Sequence, residues 1–80
     1  MPRFHFHVHD HSGVTQDLDG RELPDLAAAR AEAIKGVRSI LSYEARQGLI
    51  DLTGRIDVAD AEGRVLFSIP TADTVLLRTP

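Results

Sequence analysis

Four imidazoles fall close together in the run Phe4-His5-Phe6-His7-Val8-His9-Asp10-His11. Imidazole ligates transition metals through a neutral ring nitrogen and titrates near neutrality, so such a strip could hold zinc, nickel or copper, or respond to pH. On an extended strand, His-x-His places two rings on one face about 7 Å apart at the backbone, close enough to share an ion. His5 and His9 are about 13 Å apart by the same rise, so one strand cannot give three ligands to one ion. A third ligand would come from His11 or Asp10, from a neighbouring strand or from a second chain. His5, His7, His9 and His11 are therefore the candidate metal ligands, and a divalent transition metal is the one cofactor the chain suggests. The plainer reading is a solvated polar face with no cofactor. A third reading is an interface that loosens on acidification, because several charged histidines on one strip repel.

Other chemistry has little support. Thr15-x-Asp17-x-Asp19-Gly20 echoes the start of a calcium loop, but the position that needs a bidentate glutamate is Leu26. Asp17 and Asp19 read as turn residues. Strand alternation sends His9 and Asp10 to opposite faces, and no serine stands at a nucleophile elbow. There is no phosphate-binding glycine loop. No enzyme activity is expected.

The composition narrows the partners. Eighty residues with a net charge of −3 give no basic surface for a nucleic acid, and aromatics at 5% leave no stacking platform. Protonating all four histidines would move the charge from −3 to +1, concentrated on one strand. There are no cysteines, which excludes disulfides and thiolate sites. Met-Pro-Arg-Phe-His lacks the apolar stretch of a signal peptide, and no apolar run approaches the roughly 20 residues of a membrane span. A cytoplasmic protein with no membrane partner is expected. A chain this short buries only about 60% of its unfolded surface, so association with a second copy would add stability, and a homodimer is expected.

The elements that position the histidines follow from periodicity. Phe4, Phe6 and Val8 alternate with His5, His7 and His9, which predicts a half-buried strand over 3–10. A second strand is expected over 14–18, with Val14, Gln16 and Leu18 on one face. Asp25 is a good N-cap and Gly48 a good stop for a helix over 26–47. Leu26, Ala29, Ala33, Val37, Ile40 and Leu41 form its apolar stripe. Gly36 lies at the stripe's edge, where close approach of another element would explain it. Strands are expected over 55–59 and 64–69, with Ile56, Val58, Val65, Phe67 and Ile69 inward. Residues 71–80 are ambiguous: Thr71 could cap a helical turn, or Val75-Leu76-Leu77 could form an edge strand. The whole is a ββαββ pattern in one domain, residues 1–80. Its fold class is α+β, a two-layer sandwich with one long helix on one face of a small, mainly antiparallel sheet. The other face carries Arg3, His5, His7, His9 and Leu66 and is the candidate interaction face.

The opening M-P-R-F-H-F-H-V, the D-L-D-G-R-E-L-P-D-L at 17–26, the A-A-A-R-A-E-A at 27–33 and the T-G-R-I-D-V-A-D-A-E-G-R-V-L at 53–66 carry a resemblance. Together they resemble a family of short bacterial proteins classed as a domain of unknown function. Its members tend to open M-P-R-[YF]-[FY]-F and to start their helix with L-P-D-L. The resemblance spans nearly the whole chain and implies no activity. The strand pair, the L-P-D-L and the alanine-rich helix also resemble antitoxin domains of the HicB type, which would imply a regulatory role, although no DNA-binding appendage is recognisable. The reading that results is a small non-enzymatic interaction or accessory domain that self-associates. A metal-binding protein built on the histidine strand and a HicB-like regulatory domain are the alternatives.

Overall fold

The computed structural model describes residues 1–76. Along the chain lie β1 (Arg3–Asp10), β2 (Gly13–Thr15), β3 (Arg21–Glu22), α1 (Leu26–Gln47), β4 (Arg55–Ala59), β5 (Val65–Pro70) and a 3-10 helix (Thr71–Thr74). All strand pairs are antiparallel, in the order β2-β1-β4-β5, with β3 also paired to β1. One helix covers one face of this sheet, which is the α+β sandwich expected from the pattern.

The alternation of β1 is realised residue by residue. Phe6 stands opposite Val58 and Val8 opposite Ile56, while Ile56 and Val58 face Ile69 and Phe67 on β5. These side chains meet Ala29, Ala33, Val37 and Leu41 of α1, with Phe4 completing the core. Fully burying a valine or isoleucine contributes about 1.5–3 kcal/mol, so this single layer of contacts carries the fold. Asp25 starts α1 by accepting the Ala28 N–H at 2.8 Å through its side chain. Gly48 stops it in the left-handed region at φ 87°, a conformation that favours glycine.

β1 and its outer neighbours depart from a simple hairpin. Thr15 stands opposite Val8 and Arg21 opposite Phe4, so five residues (16–20) span the length of three (5–7). The second strand therefore ends at Thr15 rather than reaching Leu18, because this crossover leaves the ladder and β3 resumes it. At β4, the close approach of Gly54 to the His9 carbonyl leaves no room for a side chain.

Three further positions differ from the sequence pattern. The register between β4 and β5 shifts at Val58/Ala59, so Val65 rather than Leu66 stands opposite Ala59. That shift takes Val65 out of the core and leaves it 51% exposed. Leu26 and Ile40, both expected in the helix stripe, are exposed, while Val37 and Leu41 beside Ile40 are buried. Gly36 meets nothing within 4 Å of where a Cβ would lie, so no element approaches it closely. Residues Thr71–Thr74 form the 3-10 turn, and Arg38 Nε donates to the Thr74 carbonyl at 2.8 Å, tying that turn to α1. Val75 packs against the core, and the rest of the alternative edge strand, Leu77 onward, lies outside the described residues. No helix among them is long and apolar enough to cross a membrane.

Candidate functional site

The face of the sheet opposite α1 carries His5, His7 and His9 from β1, Arg55, Asp57 and Ala59 from β4, and Ser68 from β5. Strand alternation puts them there, as the reverse of the rows that build the core. The histidines do not act as one strip. They enter three separate arrangements, each organised by an aspartate.

The first is centred on Asp17, in the crossover. His5 and His7 stack with ring centroids 6.2 Å apart and planes 18° from parallel. His5 Nδ1 lies 2.9 Å from the Asp17 carbonyl, and a carbonyl only accepts, so this nitrogen carries a proton. The Asp17 N–H donates to His7 Nδ1 at 3.1 Å, so that nitrogen carries none. Two neighbouring rings are thus held with Nδ1 in opposite roles, donor and acceptor, by the backbone of one residue. The Asp17 carboxylate accepts the Phe6 N–H at 3.1 Å and the Gly20 N–H at 3.0 Å. A side chain thereby pairs the backbone of β1 where the outer ladder is interrupted. Burial alone would raise the Asp17 carboxyl, but these two N–H donors and the nearby histidines hold it below its ordinary value. Arg3 braces the same crossover, donating to the Asp19 carbonyl at 2.8 Å and to Glu22 at 3.4 Å.

Asp57 is the second centre. It is buried, although it lies on the face of the sheet opposite α1. His9 Nε2 lies 2.8 Å from Asp57 Oδ2, while Arg55 Nε donates to Oδ1 at 3.1 Å and the Ser68 hydroxyl donates to the same oxygen. Burial works to raise the Asp57 carboxyl, and the Ser68 hydroxyl together with Arg55 and His9 outweighs it, leaving it below its ordinary value.

Asp51 organises the third arrangement, beyond the end of β1. His11 donates to Asp51 Oδ2 from its backbone N–H at 3.2 Å and lies 2.7 Å from it through Nδ1. Thr53 donates to Asp51 Oδ1 from its hydroxyl and its N–H, and the Asp51 N–H donates to Glu44 of α1 at 3.0 Å. The Thr53 hydroxyl and His11 hold the Asp51 carboxyl well below the usual carboxylate range, and Asp51 in turn raises His11.

The structure thus brings His5 and His7 together and gives His9 and His11 different partners. Among the described residues, no three His, Cys, Asp or Glu side chains are grouped so that they could hold a metal ion. Among them, too, no buried side-chain nitrogen or oxygen lacks a hydrogen-bond partner. Leu66 is 40% exposed beside Val65 at one margin of the face. Arg3 serves the crossover rather than standing free. The sequence pattern places Ser68 on the outer face with the histidines, but it does not single out Asp57, Asp51 or Arg55. The one signal for Asp57 is its position between the inward Ile56 and Val58, which sends a carboxylate onto the histidine face.

Comparison with known proteins gives a match to one family model, described as a domain of unknown function (DUF6894), over residues 3–72. No curated protein matches the chain. No solved structure matches it either.

Proposed function

We propose, for a chain that belongs to the DUF6894 family, a non-catalytic interaction domain that self-associates through the uncovered face of its sheet. The observation behind this reading is the state of Asp57. A carboxylate on the face opposite α1 already has both oxygens bonded, by His9, Arg55 and Ser68, and is only 7% exposed in the single chain. Covering a polar group costs little when its hydrogen bonds are already made within the chain, and much when they are not. The centre of this face can be desolvated without stranding a charge. Val65 and Leu66 add exposed apolar area at its β5 margin. A second copy presents the same pre-paired polar row and the same apolar margin, as a two-fold contact requires.

Sedimentation velocity over a range of concentrations tests this reading. A reversible dimer is expected, with Leu66→Glu shifting it to monomer while circular dichroism stays unchanged. A chain that remains monomeric at every concentration overturns it.

A metal-binding role is the second reading, and one observation favours it. The His5 Nδ1–H is held by a backbone carbonyl, which leaves Nε2 with a free lone pair in the manner of a metal-ligating histidine. Native mass spectrometry with added zinc or nickel separates the two readings. Stoichiometric uptake lost in His5→Asn supports the metal role, and dimer formation without uptake supports the interaction role.

A further inference from the structure

We propose that His7 and Asp17 form a proton-operated latch that holds the 16–20 crossover against the edge of β1. His7 Nδ1 accepts the Asp17 N–H and so works as a latch only while the ring is neutral with its proton on Nε2. In the charged ring both nitrogens are donors, and the Asp17 N–H then faces another N–H. His5 behaves in the opposite way. Its Nδ1 already donates to the Asp17 carbonyl, and a proton added at Nε2 leaves that bond in place. Of two stacked rings bound to the backbone of the same residue, one is broken from it by a proton and the other is indifferent.

The latch has something to release. Residues 16–20 are the only part of the outer strand that makes no ladder pairs with β1, so side chains hold them there. The Asp17 carboxylate occupies the Phe6 N–H, and Asp17, Gly20 and Arg21 form one wall of a groove of about 290 Å³ between the sheet edge and α1. Apolar atoms of Phe6, Val8, Ile40 and Ile56 line that groove. Freeing the crossover uncovers a backbone donor of β1 and widens the way to this apolar lining. The groups facing His7 are the Asp17 carboxylate from the crossover, His5 and His9 on its own strand, Asp57 opposite it on β4, and Asp60 from the β4–β5 turn, which lines the same cleft. Three carboxylates and two imidazoles thus surround the ring. They do not alter what the proton does to the Nδ1 bond. This inference does not depend on self-association.

Nitrogen-15 NMR of the ring and amide resonances, taken from about pH 7.5 down to about pH 5, tests it. The expected results are a neutral His7 with its proton on Nε2 and, as the ring titrates, a loss of protection at the Asp17 amide. Corrected for the intrinsic pH dependence of exchange, that loss should reach about tenfold, the worth of one net hydrogen bond. Phe6 and Gly20 should follow, and the amides of α1 should not. His7→Asn offers an acceptor at the same place without titrating and should hold the Asp17 amide protected throughout. His5→Asn should keep the acid response. Four results overturn the latch: the Nδ1–H tautomer at neutral pH, a ring still uncharged at the acid end, a titrated ring with an unchanged Asp17 amide, or the same acid response in His7→Asn. The first three need only the wild-type chain.

Discussion

His9 and Asp57 sit on neighbouring strands without standing opposite each other. His9 pairs with Arg55 and Asp57 with His7, yet His9 Nε2 reaches diagonally to Asp57 Oδ2 at 2.8 Å. Diagonal neighbours across an antiparallel pair lie within reach of long side chains. The diagonal lets one carboxylate bind β1, β4 and β5 together through His9, Arg55 and Ser68.

Asp57→Ala should therefore destabilise the fold by about 1–3 kcal/mol, the usual result of removing one member of a buried hydrogen-bonded set. Urea denaturation measures it, and a loss within a few tenths of wild type would show that the three strands do not depend on this carboxylate. The pH dependence has a definite sign. The Asp57 value is lowered on folding, so its contribution is present above the ordinary carboxylate range and is lost as pH falls through the folded value. The gap between wild type and variant should narrow below about pH 4.

His11 gives the opposite sign at the other end of the scale. Its value is raised by Asp51, so its contribution to stability is complete below the ordinary histidine value and disappears as pH rises through the folded one. His11→Gln should lower the melting temperature in mildly acidic buffer and leave it close to wild type in mildly alkaline buffer. A difference that does not change with pH would mean that the Nδ1 contact with Asp51 plays no part.

Gly36 and Gly54 should respond oppositely to alanine. Gly36 lies inside α1 with open space where a Cβ would go, so Gly36→Ala should stabilise by about 1 kcal/mol. Gly54 packs against the His9 backbone carbonyl, which cannot swing aside as a flexible side chain would, so Gly54→Ala should cost about 1–3 kcal/mol or more. Chemical denaturation of the two variants is the check. A destabilising Gly36→Ala would show that the groove beside α1 is closed by a contact absent from a single chain.

The α+β arrangement was legible because each of its signals is local. Alternation in Phe4–Val8 chooses the core face of β1, and Asp25 and Gly48 mark the ends of α1 chemically. The broken outer strand was not legible. Val14-Thr15-Gln16-Asp17-Leu18 alternates well enough for a continuous strand, and the break depends on Asp17 finding Phe6, His5 and His7 across the fold. Val65 reads as inward from the alternation of β5 alone, since a register shift depends on both strands and leaves no mark in one. The histidines themselves were plain to see, but their partners were not. Asp17, Asp51 and Asp57 lie 12, 40 and 48 residues from His5, His11 and His9 in the chain, and no spacing rule connects groups so far apart.

The five-against-three mismatch between 16–20 and 5–7 makes the stacked histidines and their aspartate a two-residue addition to an otherwise ordinary sheet edge. Deleting two residues from the crossover would let β2 run straight into β3 as one strand. Backbone would then occupy the Phe6 N–H, and neither ring would have a peptide unit to fix its tautomer. Chain length at this one place, more than the number of histidines in β1, decides whether the strand carries a device or a plain polar surface.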